Sequence, residues 1–231
     1  MVNEIVSVLR NENKYLLSDT QYYQLKSYFS KVLHSDIHNG KSGYLVRSLY
    51  FDTIGDKDYF DKLDGVSQRR KLRLRIYSPQ DEIVKLEMKQ KSGDLQRKRS
   101  LSLTRQQAQG LIKGDLSVLE LIQQPFAQEC LNVMSTEVYR PKCIVEYHRH
   151  AFVADANDIR ITFDTNISAV PSPFGFFEPT IFGCPILPFG NTVMEVKYNH
   201  FLLSYIKDIV SKCDTSATAV SKYCLARQVG V

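Results

Sequence analysis

Residues 69–99 read RRKLRLRIYSPQDEIVKLEMKQKSGDLQRKR, and this stretch decides the fold. In its first third, Lys71, Arg73 and Arg75 alternate with leucine and isoleucine, so the cations share one face of a strand and the aliphatic side chains share the other. Turn residues at 78–81 and 92–94 separate two further strands with the same alternation. The charged positions on these strands are Lys85, Glu87, Lys89, Lys91, Arg97 and Arg99.

The charges on these faces are almost all positive, and Glu87 is the one carboxylate among them. Taken singly, each strand fits a half-buried sheet with its polar face in water, which is the more common arrangement. Taken together the strands fit that arrangement poorly, because like charges directly across a sheet repel each other. We therefore expect a compensating anion against this face, and a long phosphate chain is the candidate.

The composition fits one large domain, and we treat residues 1–231 as a single unit. The chain is 43% hydrophobic, and its net charge is only +5, from 30 Lys+Arg and 25 Asp+Glu, so its basic character lies in placement. The five cysteines form no ligand spacing and indicate reduced thiols in a cytoplasmic protein. We expect no signal peptide, and no transmembrane segment of its own, because no run of about 18 uncharged apolar residues occurs.

The same alternation recurs far from the central stretch. Strands predicted at 5–17, 141–153, 160–164 and 191–198 each place cations on alternate positions, and another strand is predicted at 44–53. Apolar spacing predicts helices at 22–32, 56–64, 104–112, 116–134 with a break at Pro125, 200–210 and 216–226. The cations in phase on the outlying strands are Arg10, Lys14, Arg149, Arg160 and Lys197.

These elements predict an α+β fold, an eight-stranded antiparallel β-barrel tunnel with helices packed outside. Such a barrel satisfies both faces, because aliphatic side chains meet the helices while charged side chains face a water-filled lumen. We expect that lumen to hold few acids. Its cations would repel one another when the lumen is empty, so a bound polyanion should raise the melting temperature.

The segment at 170–190 is rich in proline, glycine and phenylalanine and has a single charge, Glu178. It cannot form regular helix or strand, yet it is too apolar for a free linker. We expect a loop folded over an open end or edge of the barrel. Contact with a partner or a membrane surface is the alternative.

Several short motifs together resemble one known family. They are RNENKY at 10–15, SLYFDT at 48–53, KLRLRIY at 71–77, LEMK at 86–89, YHR at 147–149, RITFD at 160–164 and MEVKY at 194–198. Their order is similar to that of the VTC domain, the vacuolar transporter chaperone polyphosphate polymerase family within the CYTH-like triphosphate tunnel metalloenzymes. The resemblance runs from about residue 7 to residue 226.

The resemblance implies a polyphosphate polymerase that moves the terminal phosphoryl group of ATP to a growing inorganic polyphosphate chain, with Mn²⁺ or Mg²⁺. Phosphoryl transfer needs positioning and charge neutralisation, which basic side chains and a metal supply. The resemblance assigns the metal to Glu195, with Glu12 as a second candidate. It assigns catalytic contacts to Lys14, Arg73, Arg75, Lys89 and Lys197. Phosphate binding falls to Arg149, Arg160 and Lys222, with Arg10 added from the lumen pattern.

Other functions stay open at this stage. Related tunnel triphosphatases open with Glu-x-Glu-x-Lys, and Arg10 replaces the first acid here, which favours the polymerase over hydrolysis of tripolyphosphate or a nucleoside triphosphate. A non-catalytic polyphosphate-binding module and a membrane-protein partner that takes the product are further alternatives. Lys222 could equally be an exposed helical lysine. We expect no nucleic acid as a partner, because Tyr50, Phe51 and Tyr77 fit wall packing better than base stacking.

Overall fold

The structure is a computed structural model that describes residues 10–93, 95–212 and 220–229. Its first half contains β1 (Arg10–Ser18), α1 (Asp19–Val32), β2 (His34–Ser35), β3 (Tyr44–Thr53), α2 (Lys57–Leu63), β4 (Gln68–Ile76), β5 (Ile83–Ser92) and β6 (Leu95–Thr104). Its second half contains α3 (Arg105–Ile112), α4 (Ser117–Glu120), α5 (Pro125–Thr136), β7 (Tyr139–Ala154), β8 (Ile159–Val170), β9 (Cys184–Pro185), β10 (Asn191–Asn199), α6 (Ser204–Ser211) and α7 (Lys222–Gln228).

Local sequence signals explain where the first helices begin. Ser18 ends β1 and caps α1, since its hydroxyl accepts the N–H of Gln21 while the Gln21 side chain accepts the N–H of Ser18. Thr104 and Gln107 form the same reciprocal cap on α3. Pro125 does not interrupt a long helix but opens α5, where a missing N–H costs nothing. The predicted strands and helices are therefore present, with small changes at their ends.

Eight long strands form one antiparallel sheet in the order β1-β10-β8-β7-β3-β4-β5-β6, with β2 and β9 paired to its side. The α+β class and the antiparallel sheet are confirmed. A closed barrel is not confirmed, because β1 and β6 end the hydrogen-bonded path and no ladder joins them within the described residues. The sheet nevertheless curves far enough for Lys89 of β5 to lie 2.9 Å from Glu12 of β1. Side chains of β1 and of β5, the strand next to the other end, therefore meet across a shared hollow.

The outer face of this sheet carries most of the helices. One buried cluster lies between β3–β6 and helices α3–α5, and includes Leu72, Leu86 and Leu111. A second lies between β8, β10 and helices α1 and α6, and includes Phe29 and Phe163. Burial of this apolar area, at about 25 cal/mol per Å², is the main term that holds the helices outside. The inner face is thereby left to the charged residues.

A third buried cluster fills one end of the hollow, and this corrects the prediction of a water-filled lumen. Helix α7 enters there, and the ring of Tyr223 stacks on Tyr50 with 5.0 Å between centroids. The Tyr223 hydroxyl donates to the Asp52 carboxylate at 2.5 Å. Arg227 adds a two-bonded ion pair with Asp56, at 2.6 and 2.8 Å. The helix predicted at 216–226 thus starts at 222 among the described residues, and residues 213–219 lie outside them.

The apolar loop between β8 and β10 packs in two places: its first part lies on the outer face of the sheet, while Ile186 and Leu187 join the third cluster at the end of the hollow. Phe176 is buried in the cluster with α3–α5. The fully buried Arg47 guanidinium donates to the carbonyl oxygens of Phe176 at 3.0 Å and Glu178 at 2.6 Å. Phe182 and Phe189 of the same loop are fully exposed. Across the described ranges, no helix combines the length and the apolar character needed to cross a membrane.

Candidate functional site

Strand register brings the distant charged motifs together. In the β1–β10 ladder, Lys14 lies opposite Glu195 and Glu12 lies opposite Lys197. The next ladder places Lys197 opposite Arg160. Because side chains alternate between faces with a period of two, these positions all project into the hollow. The first and last long strands of the sequence therefore supply one continuous charged surface.

Glu195 is the centre of this surface. Its carboxylate accepts from Lys197 at 3.0 Å and from Lys222 at 3.1 Å, with Arg149 at 3.6 Å and Lys14 at 3.8 Å. Burial alone would raise the pKa of Glu195, but these cations outweigh it and hold the pKa well below its usual range. Glu195 is therefore a fixed anion that keeps four cations pointed at one place.

Asp164 is a second buried anion, and no role was predicted for it. Arg149 grips it with two hydrogen bonds of 2.6 and 2.7 Å, and Lys222 lies 2.6 Å away. Burial would raise the pKa of Asp164, and the charges of Arg149 and Lys222 lower it instead. Its alternation with Arg160 was visible in the sequence, but only the fold shows that it faces Arg149.

Glu12 connects β1 with β5 across the hollow. Its carboxylate lies 3.1 Å from Lys14 and 2.9 Å from Lys89. Burial raises the pKa of Glu12, but the ammonium groups of Lys197, Lys14 and Lys89 together lower it to about 2. The carboxylate is therefore ionised at neutral pH and available as a hard oxygen ligand.

Glu87 organises the arginines of the central stretch. Arg73 binds it at 2.8 Å, Lys98 at 2.5 Å and Arg75 at 3.8 Å. Burial would raise the pKa of Glu87, and these cations lower it far below its ordinary value. Arg73 also donates to the Tyr50 hydroxyl at 3.1 Å. The prediction that Arg97 and Arg99 share this face was wrong, because the β5–β6 register places Lys98 opposite Lys89 and puts Arg99 opposite Met88, on the outer face.

Tyr147 connects the two halves of the site. Its hydroxyl accepts from Arg75 at 3.3 Å. The guanidinium of Arg149 and the ammonium of Lys222 lie over its ring, at 5.3 and 5.0 Å from the centroid. A cation over an aromatic face is attracted by the ring quadrupole. The ring thus packs the cations of β4, β7 and α7 against one another without adding a negative charge.

The structure gathers nearly all of the predicted site residues in this hollow. Lys14, Lys89, Lys197, Arg149 and Lys222 surround Glu12, Glu195 and Asp164, while Arg73 and Arg75 surround Glu87. Arg160 lies at the mouth, bonded to Asp36 at 2.9 Å and to the Tyr44 hydroxyl at 3.0 Å. The backbone of Arg10 begins β1, but its side chain lies outside the described residues.

Two predictions about the charges were wrong. The lumen was expected to hold few acids, yet the four carboxylates of Glu12, Glu87, Asp164 and Glu195 lie between the cations. They offset the expected repulsion, because the buried cations Arg75, Arg149 and Lys222 each lie beside a carboxylate. The alternative of an exposed helical Lys222 is also wrong, since its side chain is only 9% exposed.

The side chains in the hollow that could bind a metal are carboxylates. Within the described ranges no cluster of three or more His, Cys, Asp or Glu side chains could hold an ion by itself. Glu12 and Glu195 both contact the Lys14 ammonium and supply hard oxygen atoms. Mg²⁺ and similar ions are commonly held by one or two carboxylates plus substrate phosphates. The donor set fits a metal that arrives with a phosphate ligand.

Comparison with solved structures identifies the same architecture elsewhere. A Bacillus halodurans protein provisionally assigned as an adenylate cyclase has a TM-score of 0.54 at 15% identity, with 91% of this chain and 92% of that chain covered. A Vibrio parahaemolyticus protein with the same provisional assignment has a TM-score of 0.49 at 12% identity, with 93% and 96% covered. At these identities the first likeness shows a shared fold and nothing of the chemistry.

Sequence comparison gives the family. No curated protein matches the sequence of this chain. The VTC domain family matches residues 9–230, which include every strand and helix of the described structure. The order of the charged motifs along the strands agrees with this match. The chain therefore belongs to the VTC domain family.

Proposed function

We propose that this protein is a polyphosphate polymerase, which transfers the terminal phosphoryl group of ATP to a growing chain of inorganic polyphosphate. One observation carries the proposal: cations from six strands and α7 converge in a single hollow and point at the same space. A linear phosphate chain is the ligand whose charge density and length match such a surface. Membership of the VTC domain family supports the same substrate class.

In the proposed reaction, a terminal oxygen of the polyphosphate chain attacks the γ-phosphorus of ATP. A new P–O bond forms as the bond from the γ-phosphorus to the β,γ-bridging oxygen breaks, so ADP leaves and the chain gains one phosphoryl group. Charge spreads over the equatorial oxygens of the transferred group during this step. The protein's part is to neutralise that charge and to align the two phosphates.

The exposed fraction of each side chain indicates a different role for two groups of cations. Lys14, Arg73, Lys89 and Lys197 keep between 22% and 41% of their side chains open to the hollow, so their N–H groups can reach a ligand. Arg149, Arg75 and Lys222 are nearly buried against carboxylates and Tyr147. We assign direct phosphate contact to the open group. The buried group then fixes the positions and adds positive potential behind the phosphates.

We propose Mn²⁺ or Mg²⁺ as the cofactor, with Glu195 and Glu12 as its protein ligands. Such an ion would supply charge neutralisation at the phosphate oxygens and an orienting template. Both carboxylates are ionised at neutral pH, because surrounding ammonium groups lower their pKa values. Lys14 lies between them and holds both carboxylates toward the hollow.

Hydrolysis is the second candidate, because water could replace the polyphosphate chain as the acceptor. Water can enter the hollow beside Lys89, since the Lys89 side chain is 41% exposed. This access favours the alternative. The two reactions share every phosphate contact and differ only in the acceptor. They are therefore separated by products and not by binding.

The test is incubation of the purified protein with ATP labelled at the γ-phosphate and Mn²⁺. The polymerase predicts labelled chains that resolve on a gel, while free phosphate alone would indicate the hydrolase. Lys197→Met should abolish either product, because it removes an open cation beside Glu195. Lys113→Met, on an exposed helix end outside the hollow, is the matched control and should leave the product yield unchanged. Absence of both products would refute the proposal.

A further inference from the structure

Thr162 of β8 carries a hydroxyl group that is both buried and unpaired. The residue is 1% exposed, and its Oγ1 atom has no hydrogen-bond partner among the residues that the structure describes. A hydroxyl buried in this way gives up its hydrogen bonds to water without replacing them, and this destabilises the fold. Such an atom needs a physical explanation, and a ligand that supplies the missing contact is one.

Strand pairing places Thr162 on the inner face of the sheet, beside Glu195. It alternates along β8 with Arg160 and Asp164, which both face the hollow. In the β10–β8 ladder it lies opposite Glu195, and in the β7–β8 ladder it lies opposite Ala151, which has no polar side-chain atom. Residues directly opposite each other in an antiparallel pair have Cβ atoms about 4.5–5.5 Å apart. The Thr162 hydroxyl and the Glu195 carboxylate can therefore contact the same small ligand.

The hydroxyl is not needed to hold the Glu195 carboxylate in place. Oε1 of Glu195 accepts from Lys222 at 3.1 Å, and Oε2 accepts from Lys197 at 3.0 Å. A threonine oxygen has two lone pairs, so Oγ1 can coordinate a cation while it keeps its proton. P-loop proteins hold Mg²⁺ with the same donor types, which are a Ser or Thr hydroxyl, a carboxylate and phosphate oxygens. Thr162 and Glu195 supply the two protein members of that set.

A ligand can reach Thr162 from the mouth of the hollow. The next inward-facing pair toward the mouth is Lys197 with Arg160, which lie opposite each other in the β10–β8 ladder. Their side chains are 22% and 35% exposed, so solvent reaches both. Both side chains are long and flexible, and they can turn toward the phosphates of an entering ligand. That movement would uncover Thr162.

We propose that the Thr162 hydroxyl is a ligand of the divalent cation, beside the Glu195 carboxylate. The identity of the cation, Mn²⁺ or Mg²⁺, rests on the proposed function, but the role of Thr162 is tested by binding alone. A polymerase and a hydrolase would share this contact, because both would act on a metal-bound triphosphate. Thr162 adds a neutral oxygen to a site whose other protein ligands are carboxylates. Its hydroxyl gains there the partner that the fold does not provide.

The test is Thr162→Val, which replaces the hydroxyl by a methyl group of similar size. The affinity for tripolyphosphate is measured with saturating Mn²⁺ and without metal, and the melting temperature is measured without either ligand. Thr162→Ser keeps the hydroxyl and serves as the conservative variant. Thr165→Val is the matched control, because it makes the same change three positions along β8 on the opposite face of the strand, where the hydroxyl donates to the His148 carbonyl oxygen at 3.4 Å.

The proposal predicts that Thr162→Val loses about tenfold in affinity for tripolyphosphate with Mn²⁺ and stays within about twofold without metal. Without ligand, the same variant should melt about 2–4 °C higher than the parent protein, because an unpaired buried hydroxyl has been removed. A residue with only a structural role would lose stability and affinity together. Thr162→Ser and Thr165→Val should bind tripolyphosphate like the parent protein, with and without Mn²⁺.

The proposal is overturned if Thr162→Val keeps its affinity for tripolyphosphate with Mn²⁺, or loses as much affinity without metal as with it. It is also overturned if Mn²⁺ does not raise the affinity of the parent protein, or if Thr162→Ser loses as much as Thr162→Val. A lower melting temperature of unliganded Thr162→Val would show that the hydroxyl is paired within the fold, and this too would contradict the proposal. Absence of labelled chains from ATP would refute the polymerase without touching these binding results.

Discussion

Replacing Glu195 by glutamine removes a buried negative charge that four inner cations share and should destabilise the fold. The side chain is 8% exposed, and Lys14, Arg149, Lys197 and Lys222 all lie within 3.8 Å of its oxygens. Loss of one partner from a buried ion pair costs about 3–5 kcal/mol. Glutamine keeps one oxygen acceptor, so we expect the lower end, about 3 kcal/mol. For a chain of this size that is roughly 6–12 °C in melting temperature.

The same change should strengthen metal-free anion binding while it weakens catalysis. Without the Glu195 charge, Lys197 loses its carboxylate partner and the hollow gains one net positive charge, so tripolyphosphate should bind about tenfold tighter and recover more of the melting temperature than in the parent protein. Turnover of ATP should fall, because a proposed metal ligand is lost. Thermal melts with and without tripolyphosphate, followed by the labelled-ATP assay, measure both effects.

Glu129→Gln is the matched control for this experiment. Glu129 pairs with Arg99 on the outer face of the sheet, so the substitution removes a carboxylate–guanidinium contact of the same kind away from the hollow. Tripolyphosphate should then stabilise the control no more than the parent protein. The reasoning is refuted if Glu195→Gln melts like the parent and gains nothing from tripolyphosphate. If that variant keeps full turnover, the metal assignment fails.

Two further predictions concern residues that hold α2 and α7 in place. Burial, followed by the nearby Asp52 carboxylate, raises the pKa of Asp58 from 3.8 to about 7. The folded state then retains a proton that the unfolded chain loses, so roughly 4 kcal/mol of stability is present below about pH 4 and is lost as the pH rises through 7. The melting temperature should therefore be lower at pH 8 than at pH 5. Asp58→Asn should reduce this difference between the two pH values, and the control Asp64→Asn should leave the difference unchanged. Arg227→Gln removes the partly exposed ion pair with Asp56 and should lower the free energy of unfolding by about 1 kcal/mol. Amide hydrogen exchange at 222–228 should become faster. Unchanged exchange there would contradict the idea that this ion pair holds α7 in place.

The strands and the inward cations could be predicted because a period-two pattern is local. Alternation at Lys71, Arg73 and Arg75 fixes a shared face whatever the rest of the chain does. The position of the sheet ends is not local. Nothing near Glu12 indicates that its carboxylate will meet Lys89, because that contact depends on the accumulated twist and curvature of all the strands between them.

The role of the acids shows the same limit. Glu87 alternates with Lys85 and Lys89 in the sequence, and Asp164 alternates with Arg160, but alternation alone gives their face and not their partners. Asp164 meets Arg149 because β7 and β8 pair in a register that places them opposite each other. Lys222 reaches both Asp164 and Glu195 because α7 enters the hollow, where Tyr223 donates a hydrogen bond to Asp52. Long-range packing decides these contacts.

The most direct measurement is a structure of the protein with tripolyphosphate and Mn²⁺ bound. The account predicts phosphates inside the hollow, in contact with Arg73, Lys89 and Lys197, and the metal on Glu195. Phosphates bound only to outer surfaces, with the hollow unchanged and its ion pairs intact, would contradict it.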